Sequence, residues 1–415
     1  MSLLTVQAAQ ERILRYFDPV ESEALPLSQC AGRVLASDIL SSDLPIFDNS
    51  SVDGFAVIAA ELNDASPNSP ITLRVVADIP AGFALEVHLL PGEAARIMTG
   101  APLPKGADSV IMVEDTDFNY REAERAVPKN VKTFKAIRPG ENIRRRGMDI
   151  KSGHKVLFTG QRLRAQDIGL LAMLGVAIVN VYRRPRVALL SSGDELIPVE
   201  RPLEPGKIRD TNSYTLSVLI TEIGCEVIPL GVAPDKREAI QFLFDQAVGV
   251  DADMIISSAG VSVGAFDFIK EIIESNGRLD FWQVNMRPGK PLAVGEYRSL
   301  PLIGLPGNPV SAFVGFEVFV RPALRRLAGQ ISTGGSILAT RPKIRARLTE
   351  AIESDGRESY LRAIIDEQDG GFSAKLTGHQ GSGNLLSLVQ ANALLIIPAG
   401  VKSLAIGAQV DAWLL

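Results

Sequence analysis

The stretch Met254 to Asp267, M-I-I-S-S-A-G-V-S-V-G-A-F-D, opens as a short apolar run and then switches abruptly to small residues and glycine. Such a run fits a strand buried on both faces, and the switch fits a strand that ends in a ligand loop. Ala259, Gly260, Ser262 and Gly264 carry little or no side chain, so an anion can approach their backbone N–H groups closely. Asp267 is expected to open the following helix. Glycine spacing alone favours a tight turn packed against a helix. Two other stretches shift the reading. Val187-Ala188-Leu189-Leu190 runs into Ser191-Ser192-Gly193-Asp194-Glu195-Leu196, and Leu302-Ile303-Gly304-Leu305 runs into Pro306-Gly307-Asn308-Pro309. In an open parallel sheet the carboxyl ends of the strands share one edge, so the three loops are expected to converge on one crevice.

The 415 residues exceed a single typical core and predict several domains. A formal net charge of −5 gives no general electrostatic reason to bind nucleic acid or an anionic membrane, so any anion site must be local. The amino terminus lacks a basic segment followed by an apolar core, and the apolar stretch around Ile168 to Val181 is too short to cross a bilayer and contains Gly175. A cytoplasmic protein without membrane or nucleic-acid partners is expected. Cys30 and Cys225 stand far apart and read as reduced, packed thiols; His88, His154 and His379 are scattered and form no metal or triad pattern. Chemistry is left to carboxylates, Lys, Arg and backbone.

Along the chain, Val6, Ala9, Ile13, Tyr16 and Phe17 have helical spacing, stopped by Asp18-Pro19. Residues 26–47 read as extended and turn-rich, and Asp53-Gly54 reads as a plain turn before a strand. Ile71–Val76, Ala94–Met98 and Val110–Val113 are short β-prone runs that predict a small β domain. The long loop 98–108 is rich in Pro and Gly, a property shared by functional loops and rigid connectors. Arg144, Arg145 and Arg146 form a basic run that serves equally as a solvated face or as a phosphate clamp. A helix is expected at about 164–174 and a linker at 182–186. Residues 187–328 alternate strand and helix, with Asn212 and Ser213 as caps, Gly224 as a stop, Asp235 heading a helix, a helix from about 267 to 275, and a long helix from Val310 to Leu327. This predicts a three-layer α/β domain with a mostly parallel sheet. Short strands at Lys343–Leu348, Ser359–Ile365, Phe372–Leu376, Ala393–Ile397 and Val410–Leu414 predict a β barrel or sandwich.

The predicted α/β loop ends supply Asp194, Glu195, Asp210, Asp235 and Asp267, and one or two such carboxylates with phosphate oxygens and water suffice for magnesium. Asp235 and Asp267 also fit helix N-caps, the commoner role of Asp at a helix start. Arg287-Pro288-Gly289-Lys290-Pro291 puts two cations on a stiff turn, suited to a phosphate or small oxyanion. Metal, cations and a backbone nest together fit reaction at a phosphate or pyrophosphate.

The segments 48–57 (D-N-S-S-V-D-G-F-A-V), 98–104 (M-T-G-A-P-L-P), 140–147 (G-E-N-I-R-R-R-G), 191–196 (S-S-G-D-E-L), 260–264 (G-V-S-V-G), 288–291 (P-G-K-P) and 305–311 (L-P-G-N-P-V-S) resemble the MoeA family of molybdopterin molybdenumtransferases, which includes the gephyrin E domain. The motifs occur in family order and cover nearly the whole chain. The resemblance implies a multi-domain α/β plus β fold. Its parts are a three-layer α/β/α molybdopterin-binding domain at 181–328, a small β domain inserted at 48–137, a mixed α/β dimerisation region from 1–47 and 138–180, and a C-terminal β barrel at 329–415. It implies a homodimer that converts adenylylated molybdopterin and molybdate to molybdenum cofactor and AMP with Mg2+. The adenylyltransferase of the same pathway and molybdoenzyme acceptors are further implied partners.

Residue by residue, the resemblance implies Asp53, Glu195, Asp267 and Lys290 as catalytic residues and Glu195, Asp235 and Asp267 as the metal and nucleotide carboxylates. Thr99, Arg144, Arg145, Arg146, Ser192, Gly193, Asp235, Gly260, Ser262, Gly264, Arg287, Pro306, Gly307, Asn308 and Ser382 are the implied substrate contacts. Asp53 and Thr99 of one subunit would face the α/β loops of the other, and Arg362 resembles a further substrate-reaching position. The chain departs from the family pattern at Ala259, at Ala265 where an acid is common, at Met148 where Glu is common, and at Arg287 where Lys is frequent. Ala265 removes one possible metal or water ligand. The rival readings are a molybdopterin adenylyltransferase, opposed by the extra N-terminal and β regions, and a non-catalytic pterin-binding scaffold, opposed by retention of Asp53, Glu195, Asp267 and Lys290.

Overall fold

The computed structural model describes residues 3–83, 86–118, 126–259, 263–330, 341–368 and 370–415; of Ala259 and residues 263–267 only the backbone is described. The chain divides into two compact units, one of Met1–Ser37 with Phe158–Leu415 and one of Asp38–Leu157.

In the larger unit a six-stranded sheet has the order Glu226–Ala233, Arg186–Ser192, Met254–Ala259, Leu300–Leu305, Pro291–Tyr297, Gly277–Gln283. The first four strands are mutually parallel, and the last two pairings are antiparallel, so only Pro291–Tyr297 runs against the rest. Successive residues point to opposite faces of a strand, and both faces are covered. Val187, Leu189, Met254, Ile256, Ile303 and Leu305 pack on one side, with the helices Val6–Leu14 and Asn212–Ile223. Ala188, Leu190, Ile255 and Leu302 pack on the other, with Ile240 and Phe244 of the helix Arg237–Gly249 and Ile269 and Ile272 of the helix Val263–Asn276. Burying each such side chain contributes roughly 1.5–3 kcal/mol before chain entropy is subtracted. Double coverage is why these strands read as unbroken apolar runs.

The helices start and stop where local chemistry dictates, with some shifts from the sequence reading. Thr5 caps Val6–Leu14 by accepting from the Ala8 N–H at 3.2 Å. Gly224, at φ +99°, ends Asn212–Ile223 in the left-handed region open to glycine. The helix expected from about 267 begins at Val263, so Asp267 lies inside it rather than at its start. The helix expected from Val310 to Leu327 is interrupted. It runs as α-helix over Pro309–Gly315, as π-helix over Phe316–Val320, and as α-helix again over Arg321–Leu327. At the π segment Glu317 is fully buried and ion-paired to Arg321 at 2.6 Å and Arg341 at 2.9 Å.

The C-terminal strands close into a barrel, resolving the choice between barrel and sandwich. Glu358–Gln368 pairs with Gly371–Leu376 on one side and Ala393–Ile397 on the other, and Lys343–Leu348 and Gln409–Leu414 complete the ring. Met286–Arg287 adds a short parallel pairing to Glu358-Ser359, stitching the cationic turn of the α/β region onto the barrel.

The smaller unit holds a five-stranded sheet ordered Ser109–Met112, Gly54–Val57, Glu93–Ile97, Ile71–Ile79, Asn130–Thr133. Phe55, Val57, Leu73, Ile111 and Val131 pack on one face and Ala56, Ile79, Ala95, Ile97 and Val110 on the other.

Candidate functional site

Register puts the carboxyl ends of the parallel strands in one row. Ser192 lies opposite Ala233 on one side and Ala259 on the other, and Ser258 lies opposite Leu305. The loops leaving these ends therefore share one edge. Gly193 donates its N–H to the Ala233 carbonyl at 3.1 Å. A Cβ at Gly193 would lie 2.8–2.9 Å from the Glu195 carboxylate, so Glu195 folds back over a position that only glycine leaves open. Asp194 Oδ1 accepts from the Asp235 N–H at 3.1 Å, bringing the three acids of these two loops together. Asp235 is not an N-cap, because its helix starts at Arg237 with Lys236 at the cap position. Its Oδ1 is buried with no hydrogen-bond partner among the described residues. Burial, reinforced by the charges of Glu195 and Asp194, pushes its pKa above the ordinary carboxylate value.

Ser192 Oγ is likewise buried and unpartnered among the described residues. Buried polar atoms are rarely left so, and both belong to the edge that the strand-end loops share. Asp210, expected only as a loop carboxylate, is buried and caps the next helix by accepting from the Ser213 N–H at 3.1 Å. Asn212, expected as a cap, instead spans three elements: its Nδ2 donates to Ser258 Oγ at 2.6 Å and to the Gly307 carbonyl at 2.8 Å. Pro306 and Gly307 lead to Asn308, which precedes the helix Pro309–Gly315. Gly260 and Ser262 lie outside the described residues, as does the side chain of Asp267; Gly264 lies in the first turn of its helix.

A cleft of about 800 Å³ runs from these loops between the helix Asn212–Ile223 and the edge strand Glu226–Ala233. Tyr214, Val218 and Val232 give it an apolar lining, and Gly193, Asp194 and Asp210 form its polar end. Its size and mixed lining are those of a small-molecule site.

The cations gather in the turn annexed by the barrel. Arg287 pairs with Asp355 at 3.6 Å, whereas Lys290 makes no ion pair among the described residues. Arg362 is fully buried in the strand Glu358–Gln368. Among the described residues its guanidinium donates only to neutral groups, Ser387 Oγ at 3.1 Å, the Gly381 carbonyl at 3.0 Å and the His379 carbonyl at 3.4 Å. Nη1 has no partner among the described residues. Burial, then the charge of Arg287, lowers the Arg362 pKa to about 10. The Ser382 carbonyl accepts from the Val310 N–H at 3.1 Å, fastening the 381–383 loop to the helix that follows Asn308.

In the smaller unit Asp53 Oδ1 accepts from both the Thr99 N–H at 2.8 Å and the Thr99 hydroxyl at 2.7 Å. The arginine run is already paired: Arg144 with Asp149, Arg145 with Asp48 at 2.7 Å and Arg146 with Asp43 at 2.7 Å. Sequence reasoning missed the roles of Asn212 and Gln380, whose contacts are made by amides and leave no charge pattern to read.

Three family models match in order: the MoeA N-terminal region (domain I and II) over residues 4–175, a probable molybdopterin binding domain over 188–326, and the MoeA C-terminal region (domain IV) over 345–415. A molybdopterin molybdenumtransferase of a Nostoc species is 38% identical over 94% of this chain and 88% of its own length. A molybdopterin molybdenumtransferase 2 of Mycobacterium tuberculosis is 38% identical over 99% of both chains. The chain belongs to the MoeA family. A solved molybdopterin biosynthesis MoeA protein from Pyrococcus horikosii shares 33% identity and superposes with a TM-score of 0.83 over 100% of this chain and 99% of that one. Membership makes the chain an enzyme of the molybdopterin molybdenumtransferase class, within molybdenum cofactor biosynthesis. The stretch matched by the probable molybdopterin binding domain is the α/β region that carries the cleft and the three acids.

Proposed function

We propose that the protein inserts molybdenum from molybdate into adenylylated molybdopterin, releasing AMP and forming molybdenum cofactor. The observation that carries the reading is Arg362, a fully buried guanidinium with neutral partners and a bare Nη1. Such a charge is costly without a counter-ion, and a doubly charged oxyanion supplies one. Arg287, Lys290 and Ser382 join it as the molybdate or phosphate contacts. The cleft beside Tyr214 and Val218 takes the ring systems of the pterin nucleotide, with Ser192, Gly193 and the 306–308 loop at its phosphates. Gly260, Ser262 and Gly264 belong to the same phosphate-facing stretch.

Magnesium fits the acid side. Among the described residues no three His, Cys, Asp or Glu form a ligand set by themselves, which suits an ion held largely by substrate oxygens and water. Asp235 Oδ1, buried and unpartnered beside Glu195, is the residue most in need of a cation, and Asp267 is the third candidate. When bound, the ion offsets negative charge at the phosphates. The residues of the chain hold the ends: Asp194 fixes the Asp235 backbone, Gly193 leaves Glu195 its place, and Arg362 draws the oxyanion.

The reading includes a cytoplasmic homodimer in which Asp53 and Thr99 of one subunit serve the α/β loops of the other. Arg144, Arg145 and Arg146 would then trade carboxylate partners for substrate. The adenylyltransferase upstream and cofactor-free molybdoenzymes downstream are its partners. The test is activation of a cofactor-free molybdoenzyme by purified protein, Mg2+, molybdate and adenylylated molybdopterin. Activation supports the reading, and its failure under conditions that load the substrate would favour a pterin-binding scaffold.

A further inference from the structure

Arg362 sits where one ladder of the barrel runs out. Pairing between Glu358–Gln368 and Gly371–Leu376 ends at Ala363 opposite Leu376. Beyond it the chain leaves the sheet, although Thr377 still reaches the Arg362 carbonyl with its N–H at 3.1 Å and its hydroxyl at 3.2 Å. The Arg362 N–H would be left open on that side. Gln380 closes it. Its Oε1 accepts from the Arg362 N–H at 2.9 Å, and its Nε2 donates back to the Arg362 carbonyl at 3.1 Å and to the Gly378 carbonyl at 3.1 Å. One side-chain amide thus supplies the acceptor that a neighbouring strand would give the Arg362 N–H, and adds a further donor to its carbonyl.

The same turn carries the acceptors of the guanidinium. The His379 and Gly381 carbonyls flank Gln380 and take Arg362 Nη2, while Asn384 donates to the His379 carbonyl at 3.1 Å. Gln380 therefore fixes both ends of the arginine: the backbone from which the side chain leaves, and the turn that receives its tip. With the other nitrogens so held, Nη1 stays bare. We infer that Gln380 is a positioning residue of the molybdate site, acting through Arg362 by holding its backbone and its receiving turn. The inference rests on the oxyanion role proposed for Arg362.

The test is steady-state AMP release from adenylylated molybdopterin by full-length protein with Mg2+, titrated with molybdate, for wild type and Gln380→Met. Methionine matches glutamine in length and makes none of the three bonds. The expected result is a rise of about tenfold in KM for molybdate, with a less than threefold change in kcat and in KM for the pterin substrate. A purely structural role would lower kcat and affect both substrates together, and that outcome overturns the inference, as does an unchanged molybdate KM. Should Gln380→Met fail to fold, Gln380→Glu carries the same test. It loses the bonds to the Arg362 and Gly378 carbonyls and sets a carboxylate against the Arg362 carbonyl, so a selective rise in molybdate KM is again expected, and a non-selective loss contradicts it. A wild type whose AMP release ignores molybdate refutes the molybdate reading itself; a molybdate-dependent wild type with an unaltered variant refutes only the role of Gln380.

Discussion

The Asn212 side-chain amide donates to Ser258 Oγ at 2.6 Å, tying the start of one helix to the end of the central strand, and the same nitrogen reaches the Gly307 carbonyl at 2.8 Å. Asn212→Ala removes both bonds in a buried place and leaves the serine and the carbonyl unsatisfied. Loss of about 2 kcal/mol of stability is expected in urea unfolding, together with a fall in turnover larger than that loss explains, because the loops at three strand ends lose their common tie. A stable but fully active variant would show that the tie does not position the site.

Glu317 anchors a buried ionic cluster. Burial alone would raise its pKa, but the hydrogen bonds from Arg341 and Arg321 outweigh burial and hold it below the ordinary value. A depressed carboxylate contributes stability above its unfolded pKa that is lost as pH falls through the folded value. Glu317→Gln leaves two arginines short of their counter-charge and is expected to destabilise by about 3 kcal/mol at pH 7, narrowing toward zero in strong acid where wild type is also protonated. Denaturant melts at pH 7 and pH 3 check it; an equal loss at both would contradict the ionic account.

Asp235 behaves in the opposite sense. Its raised pKa means that the protonated carboxyl favours the fold, and this contribution, complete below the unfolded value near 3.9, disappears as pH rises through the folded value. Relative to Asp235→Asn, wild type should lose thermal stability from about pH 4 upward, and Mg2+ at pH 7 should close the gap for wild type alone. A melting difference independent of both pH and magnesium would remove Asp235 from the proposed cation site.

The homodimer proposed above, with its site shared between subunits, makes a mixing experiment informative. Asp53→Ala and Glu195→Ala are each expected to be inactive. Mixed and re-equilibrated, half the dimers would be hybrids carrying one intact site, restoring about a quarter of wild-type turnover. Activity that stays at the level of the single variants would show that both residues serve the same subunit.

The α/β region was legible because doubly buried strands leave unbroken apolar runs, and Gly193 could be singled out because a strand end needing close approach selects glycine. The barrel strands were legible from their turns, but its closure depends on the pairing of Glu358–Gln368 with Ala393–Ile397, which no local pattern encodes. Helix starts were read less well. Asp235 and Asp267 have the residue type of N-caps, yet one lies before its helix and the other within it. The π-helix at Phe316–Val320 left no signal, since its residues are apolar apart from Glu317, whose partners Arg321 and Arg341 are recognised only in three dimensions. Asn212 and Gln380 were hidden for a similar reason: an amide that bridges backbone groups has no periodicity.

The most direct test of the central claim is AMP release from adenylylated molybdopterin by the purified protein with Mg2+, measured with and without molybdate. The account predicts release that depends on molybdate and is lost in Glu195→Ala. Substrate binding with no AMP release in either condition, or release indifferent to molybdate, would contradict it.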